Sequence, residues 1–414
     1  PPEKRFGPPP PIHWGPGIKP ETHGEYLRKF ADDFCQLFVD NIDHAVREAH
    51  FEPDEVVDEA REHLRFAKVR QQSYTPTEAA KRCTVAIQNY LDLDQSVAHQ
   101  KKRPGLNTSR PTPSHTKGKG HCFVLWGRSG VGKTYVMSEA VVRASDEMVE
   151  RGGVVVVRFL GTTPNSGNCD SLLKSLNAQL HRLFVSDRKA YQPPAEFKDL
   201  CNDFRAKLSL ASEKRPLVLF LDSLDQLEDT TFGRRLEWLP VADIPAHVRI
   251  VLSTLPDDGE SIQILSWLRR RMQSVPDNLI EAKPIKRESG LNVLMHILRK
   301  RRRAVTSEQQ SAIMEAFDKV GTPLWLTIAA QWAVTWHSYT AMPEIRTTVT
   351  GLIFQLFDRL ERYHGRFLVS ASLGYITVAK NGISETELQE ALSLEDDALA
   401  DSYEWWVPPT RVMP

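Results

Sequence analysis

Between residues 121 and 282, short runs of apolar, β-branched residues alternate with stretches of helical spacing. The runs at 121–126, 154–160, 217–221 and 248–253 are apolar nearly throughout. That pattern predicts strands buried on both faces of a parallel sheet, because a strand with one wet face would alternate. Upstream, Tyr26, Phe30, Phe34, Leu37, Phe38 and Ile42 recur at three- and four-residue spacing, which predicts helix within residues 25–67. Another helix is predicted over 77–90, with Pro76 and Thr77 at its start. From residue 284 the pattern is mostly helical to the end, and no repeat of solenoid or propeller period is present.

Punctuation divides the chain further. Residues 1–23 are a Pro/Gly-rich extended segment, 24–98 an N-terminal helical region, and 99–120 a basic flexible linker holding Lys101, Lys102, Arg103 and Arg110. The alternating α/β core occupies 121–283.

One motif dominates that core. Gly127-Arg128-Ser129-Gly130-Val131-Gly132-Lys133-Thr134 fits the P-loop pattern in full, between an apolar strand and a helical stretch. Glycines let such a loop wrap with its N–H groups facing phosphate oxygens, and the following helix N-terminus favours an anion. Lys133 is placed to neutralise the β/γ-phosphates of a nucleoside triphosphate, and the Thr134 hydroxyl to ligate Mg²⁺. The metal-side acid is expected at the end of another buried strand, and Asp222 stands there. Asp225, three residues on, is the candidate for orienting the attacking water, against the plainer reading of a turn acid. Ser253 and Thr254 end a third strand, where a hydroxyl could sense the γ-phosphate or satisfy its own turn.

Composition adds limits. Lys and Arg number 53, as do Asp and Glu, so no net charge draws the whole chain to nucleic acid or membrane. The 5 cysteines are scattered and form no C-x-x-C pair, which argues against a disulfide framework or zinc site and for a reducing, cytoplasmic setting. No run approaches the ~20 apolar residues of a membrane span. The chain lacks an initiator Met and stops in a Pro-rich strip, so it reads as a fragment of a longer protein.

These residues together resemble the NACHT NTPases of the STAND class, the NACHT-and-WD-repeat and nephrocystin-3-like group above all. The resemblance is carried by Arg158-Phe159-Leu160-Gly161-Thr162-Thr163-Pro164-Asn165-Ser166, by Leu221-Asp222-Ser223-Leu224-Asp225-Gln226-Leu227, and by Arg234-Arg235-Leu236-Glu237-Trp238-Leu239-Pro240. Gly321-Thr322-Pro323-Leu324-Trp325-Leu326 is similar to the family's G-x-P motif. The resemblance implies a parallel-sheet P-loop NTPase core flanked by the N-terminal helical region, a helical domain at 284–343 and a partial winged-helix domain at 344–414. It also implies an ATP/ADP switch. ADP holds a closed form, ATP opens it for self-assembly, and protein partners bind through C-terminal repeats absent from this chain. Pro323 is implied to pack on the adenine, although a proline between two helices explains itself.

The chain departs from the family at three places. Gln226 replaces the acid after Asp225, Leu255 replaces a phosphate-sensing arginine, and Tyr74-Thr75-Pro76-Thr77 replaces a Gly-Arg hinge. The first two point to slow hydrolysis, and a nucleotide-binding scaffold without turnover is the rival reading.

Other features have plainer readings. Arg299-Lys300-Arg301-Arg302-Arg303 and the 269–271 arginines read as helix C-termini. Surface salt bridges outweigh arginine fingers for Arg234 and Arg235. The spacing of Trp325, Trp332 and Trp336 predicts one helix face in a core. The helix expected after Ser384 carries Glu385, Glu387, Glu390 and Glu395, which repel phosphate and make DNA binding a poor reading.

Overall fold

The computed structural model describes residues 24–25, 28–29, 31–35, 54–72, 75–91, 120–185, 191–228, 233–257, 259, 263–339, 342–379 and 382–403. The 1–23 segment, nearly all of the 99–120 linker, and the helical-face residues Tyr26, Phe30, Leu37, Phe38 and Ile42 lie outside these. The chain forms two compact units, Pro1–Asp58 and Glu59–Pro414. In the first, residues 24–25, 28–29 and 31–35 are helical.

Helix α1 (Glu55–Gln72) spans the boundary between the units and runs beyond the expected end at Ala67. Asp54 opens it, its Oδ1 accepting from the N–H groups of Val56 and Val57 at 3.2 and 3.3 Å. Helix α2 (Glu78–Leu91) starts at Thr77, whose Oγ1 accepts from Ala80 N at 3.2 Å.

The core then runs β1 (Gly120–His121), β2 (Phe123–Trp126), α3 (Lys133–Arg151), β3 (Val154–Phe159), α4 (Cys169–Phe184), α5 (Phe197–Leu208), β4 (Leu217–Asp222), β5 (Ala242–Ile244), β6 (Val248–Thr254), α6 (Ile264–Arg271) and β7 (Leu279–Glu281). Five strands form a parallel sheet in the order β3-β4-β6-β2-β7. The expected run from His121 is broken at Cys122, because β1 leaves the sheet to pair antiparallel with β5.

Both faces of the sheet are covered, as the unbroken apolar runs require. Val124, Val156, Leu219 and Ile250 meet Leu172 and Leu176 of α4 and Phe204 of α5. Phe123, Val157, Phe220 and Val251 meet Ile87 of α2 and Val136, Met137 and Val141 of α3. Every residue of β4 is buried.

Three helices follow with a core of their own: α7 (Arg287–Lys300), α8 (Ser307–Asp318) and α9 (Pro323–Ala333). Leu294, Phe317, Trp325 and Ala329 are buried among them. The single helix face expected for the three tryptophans needs correction. Helix α9 ends at Ala333, and Trp336 turns back edge-on to Trp332, ring centroids 5.3 Å apart.

The last described stretch forms α10 (Val349–His364), α11 (Arg366–Val378), α12 (Glu385–Leu392) and α13 (Asp396–Tyr403). Ser384 and Glu387 make the expected capping box on α12. No β-hairpin occurs among the described residues of this stretch. The basic runs do close helices: Arg299 and Lys300 end α7, and Arg269 to Arg271 end α6. Arg269 lies over the Trp126 ring at 4.7 Å, and Arg303 donates to Trp336 O at 2.6 Å.

Candidate functional site

Strand β2 ends at Trp126, and the chain must turn sharply into α3. Gly127 is required by close approach, since a Cβ there would lie 2.6 Å from the Ala282 carbonyl oxygen. Gly130 sits at φ +78°, a region that penalises any side chain. The N-terminus of α3 has no side-chain cap, so the loop leaves its first N–H groups to an incoming acceptor.

Lys133 is only 8% exposed. Its Nζ donates to Gly127 O at 2.7 Å and to Arg128 O at 3.2 Å, so those two residues hold the lysine from below. Burial lowers the lysine pKa, and the charges of Asp225 and Asp222 oppose that shift. Val131 is buried in the core beneath the loop.

Asp222 ends β4 at 2% exposure. Burial pushes its carboxyl above the usual carboxylate range, against hydrogen bonds from Ser253 and Thr134 and the charge of Lys133. Ser253 Oγ donates to Asp222 Oδ1 at 2.5 Å and accepts from Ser223 N at 2.8 Å. Ser253, weighed from the sequence as a phosphate sensor, is therefore a brace for the acid. Asp225 Oδ1 accepts from Leu255 N at 3.2 Å, and Oδ2 from Gln226 Nε2 at 2.7 Å. Both of its oxygens are engaged. Arg234 Nε donates to Leu227 O at 2.7 Å, which ties that side chain to the backbone just after Asp225 and Gln226.

A cavity of about 460 Å³ opens over these groups, within the ~300–1,000 Å³ range of small-molecule sites. Of the candidate residues, Ser129, Gly130, Gly132, Lys133, Thr134, Asp222, Asp225 and Pro323 line it. Gly127, Arg128 and Val131 do not; they shape and support the loop. Pro323 comes with Leu324 and Thr327 from the first turns of α9. Leu324 N donates to Gly130 O at 3.2 Å, so α9 is bonded directly to the loop.

Sequence reasoning missed the contribution of α1. Phe66 and Arg70, one turn apart, also line the cavity. The helix is seated by a buried polar network. His63 Nδ1 accepts from Phe159 N at 3.2 Å, which places the ring proton on Nε2, and Nε2 donates to Glu59 Oε1 at 3.0 Å. Glu59 Oε1 also accepts from Thr163 Oγ1 at 2.7 Å. Arg158 lies fully buried nearby, with Nη2 donating to Ser175 Oγ at 2.9 Å; burial lowers its pKa to about 10. The only sequence signal was polar residues at helical spacing on α1, and it does not name their partners.

Comparison with known proteins places this architecture. Residues 112–252 match the AAA ATPase domain family. The human NACHT and WD repeat domain-containing protein 2 is 32% identical over 393 residues, covering 93% of this chain and 21% of that protein. The human NACHT domain- and WD repeat-containing protein 1 is 31% identical over 304 residues, covering 72% of this chain and 19% of that protein. The chain thus spans about a fifth of the length of these relatives. A Walker-type ATPase of Pyrococcus abyssi aligns at a TM-score of 0.33 and 17% identity, over 68% of this chain and 84% of that one. The chain is a P-loop NTPase of the NACHT kind, related over most of its length to the NACHT and WD repeat domain-containing proteins.

Proposed function

We propose that the chain is an ATP/ADP switch with slow hydrolysis, closed with ADP and opened for assembly with ATP. The observation that carries this reading is one cavity lined jointly by the P-loop, the β4 acid and the first turns of α9. A ligand there touches the core and the helical region at once, and so biases their arrangement by its differential affinity for the two states.

Within that reading, Lys133 and the N–H groups at the uncapped start of α3 take the phosphates. Pro323 flanks the adenine. Thr134 and Asp222 suit Mg²⁺, since a hydroxyl and a carboxylate are hard oxygen donors and they already share a hydrogen bond. Bound Mg²⁺ would neutralise charge on the phosphate oxygens. Asp222 would then be held ionised, reversing the effect of its burial. Asp225 positions water, and its engagement with Leu255 N and Gln226 slows the reaction. We assign self-assembly and protein partners to repeats of the kind named in the relatives, and a cytoplasmic setting. No helix among the described residues is long and apolar enough to cross a membrane.

The doubly engaged Asp225 also favours a second reading, a nucleotide-binding scaffold without turnover. Heat release and mass spectrometry of the purified chain test the first step. Co-purified ADP or ATP supports the site. A chain that carries no nucleotide and takes up neither ADP nor ATP on addition has neither function.

A further inference from the structure

Helix α1 brings Phe66 and Arg70 to the wall of the cavity, and nothing in the P-loop motif calls for either. The Phe66 ring rests on Phe159, centroids 4.7 Å apart. The Arg70 guanidinium lies 5.0 Å from the Phe66 centroid, within the range where a cation is drawn to an aromatic face. Arg70 is exposed, and that attraction favours the rotamers that keep its guanidinium at the cavity wall. The helix beneath is fixed on both sides of Arg70. His63 takes the Phe159 N–H on one side, and Gln71 Nε2 donates to Glu139 Oε2 on α3 at 3.0 Å on the other.

Charge gives this placement a purpose. The charged residues lining the cavity are Arg70, Lys133, Asp222 and Asp225, which balance. Lys133 is partly engaged by the loop carbonyls, and the strand end contributes the neutral Leu255. Without Arg70 two carboxylates would face one lysine, which opposes a polyphosphate; Arg70 is the second cation among the lining residues. A guanidinium presents several N–H donors in a planar fork that matches phosphate oxygens. We propose that Arg70 is a phosphate ligand of the bound nucleotide, a cation supplied by the N-terminal helix where the strand end carries Leu255. This rests on the nucleotide reading of the cavity.

The test titrates wild type, Arg70→Ala, Arg70→Lys and Lys133→Ala with ATP and, by competition, with inorganic tripolyphosphate, which has phosphates but no base. Arg70→Ala should weaken both ligands by roughly tenfold or more, the scale of a lost charge-assisted hydrogen bond. Arg70→Lys should recover part of the loss, because it keeps the charge without the fork. Unliganded melting temperature reports any damage to the fold. Two results overturn the proposal: Arg70→Ala binding ATP as wild type does, or losing ATP while tripolyphosphate competes as before. Wild type that binds neither ligand removes the nucleotide reading itself. Wild type that binds ATP, with Lys133→Ala impaired and Arg70→Ala normal, removes only the role of Arg70.

Discussion

The N–H of Leu324 donates to the carbonyl oxygen of Gly130 across 3.2 Å, joining the first turn of a helical-region helix to the middle of the P-loop. A Cβ on Gly130 would lie 3.0 Å from the Leu324 Cβ. The loop residue is therefore constrained twice, by its own backbone and by its neighbour across the cavity. Any ligand that reorients the Gly130 peptide must also disturb Leu324.

Gly130→Ala is expected to strike both constraints. A side chain at φ +78° costs about 1–2 kcal/mol, and the approach of Leu324 must open by a few tenths of an ångström. The expected outcome is a lower melting temperature, by a few degrees on the usual scaling for domains of this size, and weaker ATP binding. Thermal unfolding and a fluorescent ATP analogue measure the two effects. A variant that melts and binds like wild type would show that the loop and α9 are not held as described.

Hydrolysis is expected to be slow, below the ~1–100 s⁻¹ typical of kinases. Gln226 holds one Asp225 oxygen, and the Leu255 N–H holds the other. Gln226→Glu should raise turnover by supplying an acid. Asp225→Asn should lower it with nucleotide affinity preserved. Single-turnover assays with radiolabelled ATP separate chemistry from release. Fast wild-type turnover, or an Asp225→Asn variant as quick as wild type, contradicts these roles.

Much of the core was legible because its signals are local. Strands β2, β3, β4 and β6 are apolar runs, and a motif of fixed spacing joins β2 to α3. What escaped depends on contacts distant in sequence. Strand β7 is three residues, Leu279 to Glu281, too short for a period, and it is a strand only because β2 lies beside it. Phe66 and Arg70 read as ordinary helix positions until Phe159 gives them a direction. Ser253 ends a strand in either reading, and only the position of Asp222 makes it a brace.

Acid is expected to loosen the seat of α1. Burial holds His63 below its ordinary value near 6.5; the hydrogen bond to Glu59 opposes the shift, and the charge of Arg158 adds to it. For Glu59 burial works upward, but hydrogen bonds from His63 and Thr163 and the charges of His63 and Arg158 prevail, leaving it below 4.5. Both folded-state values are depressed. As pH falls below about 6.5 the unfolded chain takes up a proton on His63 that the folded chain refuses, so stability declines with pH. Glu59 adds to the decline below 4.5. Protonated His63 would also turn a donor toward the Phe159 N–H. Denaturant midpoints should therefore fall between pH 7.5 and pH 5.5, and the fall should flatten in His63→Gln. Parallel profiles for the two proteins would assign the acid sensitivity elsewhere.

The final expectation concerns communication between loop and helical region. Pro323 occupies the first turn of α9, where its missing N–H costs nothing, and it faces the cavity that the loop lines from the other side. A bound adenine in contact with Pro323 would bridge two parts of the chain that otherwise meet here through the Gly130–Leu324 bond. Such a ligand shifts their arrangement only by its differential affinity, and a change from 1:99 to 99:1 needs about 5.5 kcal/mol of it. ADP should slow hydrogen exchange both at 127–134 and at 321–326. Pro323→Ala should weaken the second protection more than the first, because it removes the contact on one side and leaves Lys133 and the loop amides intact. Exchange mass spectrometry with and without ADP resolves the two segments in one experiment. Protection confined to 127–134 in the wild type would mean that the nucleotide does not bridge, and the scaffold reading would then describe the chain better than the switch.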